Sequence, residues 1–262
     1  MSFLPRWRLH GSAVDARTVY VSEKFGVRSL HIGSDTVQSA MRLARPHDLE
    51  LSYTRSMMAF LLFNAVPRTV LIIGLGGGSV AKFMYHHMPQ TQIRVVEIDP
   101  QVLAVARQSF LVPPDDARFS IIVGDGAAHM AQSGGAADVI LVDGYDADSH
   151  VAELATPEFY RHCRARLAPG GVLVINLWGS DRQFNDILQR IETEFPDSTL
   201  CLPARKPGNV IALAFRDTPG SLRWEVLNRR AAELAALYGL EFPLFVAGLR
   251  AMNRHDDAGV YP

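Results

Sequence analysis

The feature that most constrains this chain is an apolar run that ends in glycines. Val70-Leu71-Ile72-Ile73 leads straight into Gly74-Leu75-Gly76-Gly77-Gly78-Ser79. Such a run predicts a buried strand, a tight turn and the start of a helix that carries Val80, Ala81, Phe83 and Met84. Glycine lets a backbone pass close to a ligand, and Gly74, Gly76 and Gly78 leave little side-chain bulk at the turn. A second strand follows, Ile93-Arg94-Val95-Val96-Glu97-Ile98-Asp99, and it ends in acids. A carboxylate about 20 residues beyond such glycines is where doubly wound folds hydrogen-bond a ribose. The combination predicts a nucleoside-containing ligand held by Gly74, Gly76, Gly77, Gly78 and Glu97. The competing reading is a tight turn in a purely structural domain.

Around this unit the pattern alternates strand and helix. Upstream, strands at Thr18–Ser22, Val27–Ile32 and Thr36–Met41 read as a small antiparallel meander, and a helix is predicted from Asp48 to Asn64. Downstream, a helix from Pro100 to Phe110 precedes a strand at Phe119–Val123, closed by Gly124-Asp125-Gly126. A short helix, Ala127–Gln132, leads to a strand at Ala137–Val142 that ends at Asp143. A long polar loop, Gly144–Thr156, is a functional candidate by its length. A helix at Pro157–Leu167, a strand at Val172–Asn176 and a helix over 181–195 come next. Strands at Thr199–Leu202 and Asn209–Phe215 are followed by two helices, over 221–238 and 241–253, that finish the chain. The expectation is an α/β fold with a mainly parallel sheet covered on both faces. Residues 1–47 form an N-terminal β module in this reading, and 48–262 the nucleoside-binding catalytic domain.

Composition excludes several classes. With 262 residues and a net charge of −1, nothing favours general nucleic-acid binding. Cys163 and Cys201 lack ligand-like spacing and read as reduced, buried thiols. No apolar run approaches the ~20 residues of a membrane span, and Met1–Arg8 lacks the apolar core of a signal peptide. A cytoplasmic protein with no membrane partner is expected.

Glu97, Asp125 and Asp143 each follow a different apolar strand, and the ligand crevice of an open α/β sheet lies beyond the strands' carboxyl ends. Glu97 suits both ribose hydroxyls, Asp125 the exocyclic amino group of an adenine, and Asp143 the reacting end. The alternative is that these acids only cap the helices that follow. Asp143-Gly144-Tyr145-Asp146 adds a second carboxylate three residues on. Two acids in one loop suit a cationic substrate and can take a proton from an attacking amine; a solvated turn is the bland alternative. No metal site is predicted, since His150 stands alone near these acids.

Together these residues resemble the spermidine synthase family, the polyamine aminopropyltransferases, from roughly Val19 to Phe215. The resemblance implies a methyltransferase-like Rossmann fold with a seven-stranded sheet, preceded by a small β-stranded module. It makes Val95–Asp99 the nucleoside-binding segment and Asp125 with Gly126 the adenine-contacting segment. It makes Asp143 the residue that helps deprotonate the amine and Asp146, beside Tyr145, the residue that helps hold the polyamine. Glu153-Leu154 and Phe159-Tyr160 fit the stretch that follows. Gln38 aligns with a nucleoside-contacting glutamine and Tyr53 with a tyrosine lining the amine pocket. Three departures stand out: Gly77 replaces an aspartate of the glycine turn, Thr54 and Arg55 replace a His/Gln–Glu pair, and Trp178 is unusual for the pocket.

The implied reaction moves an aminopropyl group from decarboxylated S-adenosylmethionine, a co-substrate rather than a tightly bound cofactor, to an amine, releasing methylthioadenosine. The resemblance also implies a homodimer. Methyl transfer from S-adenosylmethionine and nucleoside binding without turnover are the alternatives. Ile72 stands where many methyltransferases carry an acid, which favours aminopropyl transfer. Ser79 in place of the last glycine of G-x-G-x-x-G argues against a nicotinamide enzyme. The acceptor stays open.

Overall fold

The structure is a computed structural model that describes residues 18–144, 151–205, 208–219 and 222–262. Its first three strands, β1 (Val19–Lys24), β2 (Val27–Ile32) and β3 (Ser39–Arg42), form an antiparallel sheet in that order. β3 starts later than Thr36. The carbonyls of Asp35 and Thr36 instead face the ring Nδ1 of His31, at 3.1 and 3.2 Å, so they take no part in a ladder.

The helix predicted over Asp48–Asn64 is shorter. Helix α1 spans Ser52–Met57 and tightens into a 3-10 segment over Met58–Leu62. The acids that could start it earlier are tied back instead: Asp48 pairs with Arg45 at 3.3 Å and Glu50 with Arg42 at 2.5 Å. Every residue of the 3-10 segment is fully buried, so it has no polar face of its own.

The central sheet then builds in turn. Its elements are β4 (Thr69–Ile73), α2 (Ser79–His87), β5 (Gln92–Glu97), α3 (Pro100–Ser109), β6 (Phe119–Val123), α4 (Gly126–Ala131) and β7 (Ala137–Val142). After them come α5 (Pro157–Arg166), β8 (Leu167–Trp178), α6 (Phe184–Glu194), β9 (Thr199–Pro203), β10 (Asn209–Phe215), α7 (Trp224–Tyr238) and α8 (Phe242–Met252). The strand order is β6-β5-β4-β7-β8-β10-β9, with β10 antiparallel to both neighbours. This is the mainly parallel, seven-stranded sheet of a methyltransferase-like Rossmann fold. The central strands are near-continuous apolar runs because both faces are covered. Val70, Ile72 and Leu141 face one layer, with Phe83 of α2 and Leu227 of α7, while Leu71, Ile73 and Val142 face the other, with Phe159 of α5 and Ile187 of α6.

The two C-terminal helices do not finish the chain. A small hairpin, β11 (Arg254–His255) with β12 (Val260–Tyr261), follows them. Asp256 makes its turn: one carboxylate oxygen accepts the N–H groups of Ala258 and Gly259 at 2.7 and 2.9 Å, and the other accepts the Tyr261 hydroxyl at 2.5 Å. Among the described residues no helix is long and apolar enough to cross a membrane.

The small sheet is joined to the large one through α2 and α3. Leu30 and Met41 pack against Val102 and Phe110. Beneath them Lys82 of α2 is only 1% exposed. Its Nζ donates to the Phe110 carbonyl at 2.7 Å, the Pro46 carbonyl at 3.0 Å and the Met41 sulfur at 3.1 Å.

Candidate active site

β4 ends where the chain must turn under a neighbouring backbone. Gly74 adopts φ 95°, and a Cβ there would collide with the carbonyl of Asp143 at the end of β7. The turn is fastened to β5 by Glu97. The Leu75 N–H donates to its Oε2 at 2.7 Å and the Asp99 N–H to its Oε1 at 2.9 Å. Burial raises the Glu97 carboxyl above its ordinary range, and these backbone donors oppose the rise.

Asp143 leaves β7 at the same rim. Its Oδ1 accepts from Asn176 Nδ2 of β8 at 2.9 Å, and its Oδ2 accepts from the Tyr53 hydroxyl of α1 at 3.2 Å. The Tyr53 hydroxyl also lies 3.3 Å from the Gln38 carbonyl. Asn209, the first residue of β10, donates through Nδ2 to Asn176 Oδ1 at 2.9 Å. Burial pushes the Asp143 carboxyl up, with the Asn176 and Tyr53 hydrogen bonds pulling it back. Burial and then the Asp143 charge push the Tyr53 phenol well above its ordinary value.

Gln38, Tyr53, Gly74, Gly76 and Asp143 therefore line one cavity, next to Glu97. The remaining residues singled out in the sequence fall elsewhere. Gly77 and Gly78 border this cavity without lining it: a Cβ on Gly77 would lie 2.8 Å from the Oγ of Ser39, which does line it, and 2.9 Å from the Phe110 ring. Asp125 sits one strand further out and caps α4, accepting the Ala128 N–H at 2.7 Å. Gly126 packs under the Ile73 side chain, which leaves no room for a Cβ. Tyr145, Asp146 and His150 lie outside the described residues. Among the described residues no group of three or more His, Cys, Asp or Glu side chains converges as a metal site.

The departures have structural explanations. Arg55 turns away from the cavity toward α8, where its Nε and Nη2 reach Glu241 Oε2 at 2.8 and 2.7 Å. Thr54 donates to the Leu51 carbonyl at 2.8 Å. Trp178 is not a core residue: it is 45% exposed, and its ring packs on Gly208. Sequence reasoning missed Asn176 and Asn209. The available signal was a lone amide inside the apolar strand Val172–Leu177, since a buried polar group needs a partner.

The fold is of the methyltransferase-like class, with a glycine turn fastened to a buried acid and a second acid at the end of β7. The sequence model of the spermine/spermidine synthase domain matches residues 50–207. The polyamine aminopropyltransferase of Chromobacterium violaceum is 44% identical over 236 residues, 90% of this chain and 90% of its own length. A probable spermidine synthase from Corynebacterium glutamicum shares the fold, with a TM-score of 0.69 at 22% identity over 91% of this chain and 92% of that one. Human methyltransferase-like protein 13, solved with SAH, gives a TM-score of 0.64 at 25% identity, covering 79% of this chain and 96% of that one. The chain belongs to the spermine/spermidine synthase family.

Proposed function

We propose that this protein transfers an aminopropyl group from decarboxylated S-adenosylmethionine to an amine and releases methylthioadenosine. The observation that carries this reading is Asp143, fixed by two uncharged donors in the cavity that the glycine turn lines. The amine lone pair attacks the carbon bound to the sulfonium. The C–S bond breaks, its electron pair goes to sulfur, and the amine's proton goes to the Asp143 carboxylate. A carboxyl raised by burial is a stronger base than an exposed one, which suits this task. Methyl transfer is the less favoured reading, since the relative that matches nine-tenths of the chain carries the aminopropyltransferase name.

In this reading Glu97 holds the ribose, the turn from Gly74 through Gly76, Gly77 and Gly78 cradles the donor, and Asp125 with Gly126 borders the adenine. Gln38 and Tyr53 form the wall on the amine side, and the loop bearing Tyr145 and Asp146 completes it. Residues 1–47 then act as the module that supplies part of this wall to the catalytic domain, 48–262. The reading includes a homodimer in the cytoplasm, and two buried free thiols, Cys163 and Cys201, suit a reducing compartment. The test is incubation with each adenosyl donor and a panel of amines. Methylthioadenosine formed only when an amine is present is the expected product. S-adenosylhomocysteine in its place overturns the reading.

A further inference from the structure

We infer that Asn209 and Asn176 are positioning residues for this reaction: Asn209 holds the carbonyl end of Asn176, and Asn176 in turn aims the Asp143 carboxylate at the attacking amine. The inference takes its chemistry from the aminopropyl-transfer reading; its geometry stands without it.

Asn176 is 2% exposed and sits in a strand of Val, Leu and Ile. Burying an amide there is unfavourable unless both its ends are paired. Both are, and in one direction only. The Asp143 carboxylate can only accept, so the amino end of Asn176 faces it at 2.9 Å, and the carbonyl end accepts from Asn209, also at 2.9 Å. A flipped Asn176 would set its carbonyl against a carboxylate, a repulsive contact. Asn209 therefore completes the pairing of Asn176 and holds its amino end on the reacting acid.

The topology explains how a residue 33 positions away in sequence comes to do this. β10 is the strand that runs against its neighbours, so its first residue lies at the rim where the parallel strands end. Asn209 is paired there with Trp178, and the Gly179 N–H donates to the Gly208 carbonyl at 2.5 Å. The Trp178 ring covers Gly208 from outside. The anchor of the relay is thus a closed strand end, not a free loop tip. Among the described residues the donors reaching Asp143, Asn176 and Tyr53, are both uncharged. They orient the carboxylate without neutralising it, and its charge stays available for the substrate ammonium.

The test uses Asn209→Ala, which removes the anchor, and Asn209→Asp, which keeps its size and reverses its polarity. A carboxylate at 209 draws the Asn176 amino group away from Asp143. The Asp143 carboxyl is followed by 13C NMR titration, with its signal assigned by its loss in Asp143→Asn. Both variants are expected to titrate at higher pH than the parent, Asn209→Asp the more so, because the Asn176 bond favours the charged form. The acid limb of the kcat profile should move with them. At neutral pH kcat should fall about tenfold, the scale of one lost hydrogen bond to a charged group, with the amine KM and methylthioadenosine affinity near the parent's. Titration curves that coincide with the parent's in both variants overturn the relay. If the parent transfers no aminopropyl group, the functional reading fails, and the NMR titration still decides the relay.

Discussion

The Lys82 ammonium and the Asp143 carboxylate are both enclosed by protein, and burial shifts both toward their neutral forms. Lys82 is pushed down to about 8 and Asp143 is pushed up. They differ in how much of their hydrogen-bonding capacity the protein uses. An ammonium has three donors, and Lys82 places all of them on neutral acceptors: two carbonyls and a thioether. One of those carbonyls, Phe110, closes α3, where the helix dipole is negative. A carboxylate has about four acceptor sites, and among the described residues Asp143 receives one donor on each oxygen and borders a cavity. A buried charge with its bonds complete is a joint; one with bonds left over is a place for a substrate. Lys82 joins the small sheet to the large one, and in the proposed reaction Asp143 takes the amine's proton.

The largest expected effect tests the open side of the comparison. Asp143→Asn keeps the shape and both contacts' positions but removes the basic charge. Turnover should drop about 10²–10⁴-fold, the range for a positioned general base. Methylthioadenosine affinity by calorimetry should stay near the parent's. Normal turnover in this variant would break the comparison at once, because Asp143 would then be as structural as Lys82.

The closed side is tested by pH. Lys82 ionises at about 8 in the folded protein against a reference of 10.5. Between those values the unfolded chain binds the extra proton, so stability rises as pH climbs through the window. A shift of this size corresponds to about 3 kcal/mol, an order-of-magnitude figure. The buried thiols act in the opposite sense: burial raises Cys163 and pushes Cys201 up to about 12, so the unfolded chain ionises first and stability is lost at alkaline pH. The informative quantity is therefore the difference between the parent and Lys82→Met. Urea unfolding of the two should diverge in the parent's favour from pH 8 to 10.5. Parallel curves would show that Lys82 titrates as an exposed lysine.

Glu97 is intermediate: it is buried next to the cavity, and backbone donors engage both its oxygens. Glu97→Gln leaves one oxygen for the Leu75 N–H and sets an amino group against the Asp99 N–H, or the reverse. Methylthioadenosine should bind about 1–3 kcal/mol more weakly, the scale for losing a hydrogen bond to a charged group. Unchanged affinity in calorimetry would make Glu97 a fastener of the turn and nothing more.

Much of the sheet was legible because its signal is local. Phe119–Val123 and Ala137–Val142 are strands bounded as their apolar runs end, and Asp99 and Pro100 mark the start of α3. The parts that failed depend on distant partners. The late start of α1 follows from Glu50 being held by Arg42, and the terminal hairpin from Asp256 gathering three donors. At the candidate site, Asp143, Glu97, Gly74 and Gly76 were readable because they follow apolar strands. Asn209 did not, since its role exists only once β10 is laid antiparallel beside β8.

Arg55 marks the smallest effect. The sequence shows a guanidinium two residues after Tyr53 and says nothing of its direction; its partner, Glu241, is 186 residues away. The pair is partly exposed, at 27% and 25% of the two side chains. Ion pairs in such settings contribute up to about 1 kcal/mol, because water already solvates both charges well. Glu241 also keeps Arg205 at 3.6 Å and stands at the N-terminus of α8, where a negative charge is favoured, so it is not stranded when Arg55 goes. Arg55→Met should therefore lower stability by less than about 1 kcal/mol in urea titration. The amine KM and the order of preference among amines should not change, since the side chain points from α1 toward α8 and not toward Asp143. A changed preference, above all a gain in turnover with more highly charged amines, would mean that the guanidinium repels substrate from within the cavity. The contrast between a finished joint and an unfinished site would then need a third kind of charge, one that belongs to neither.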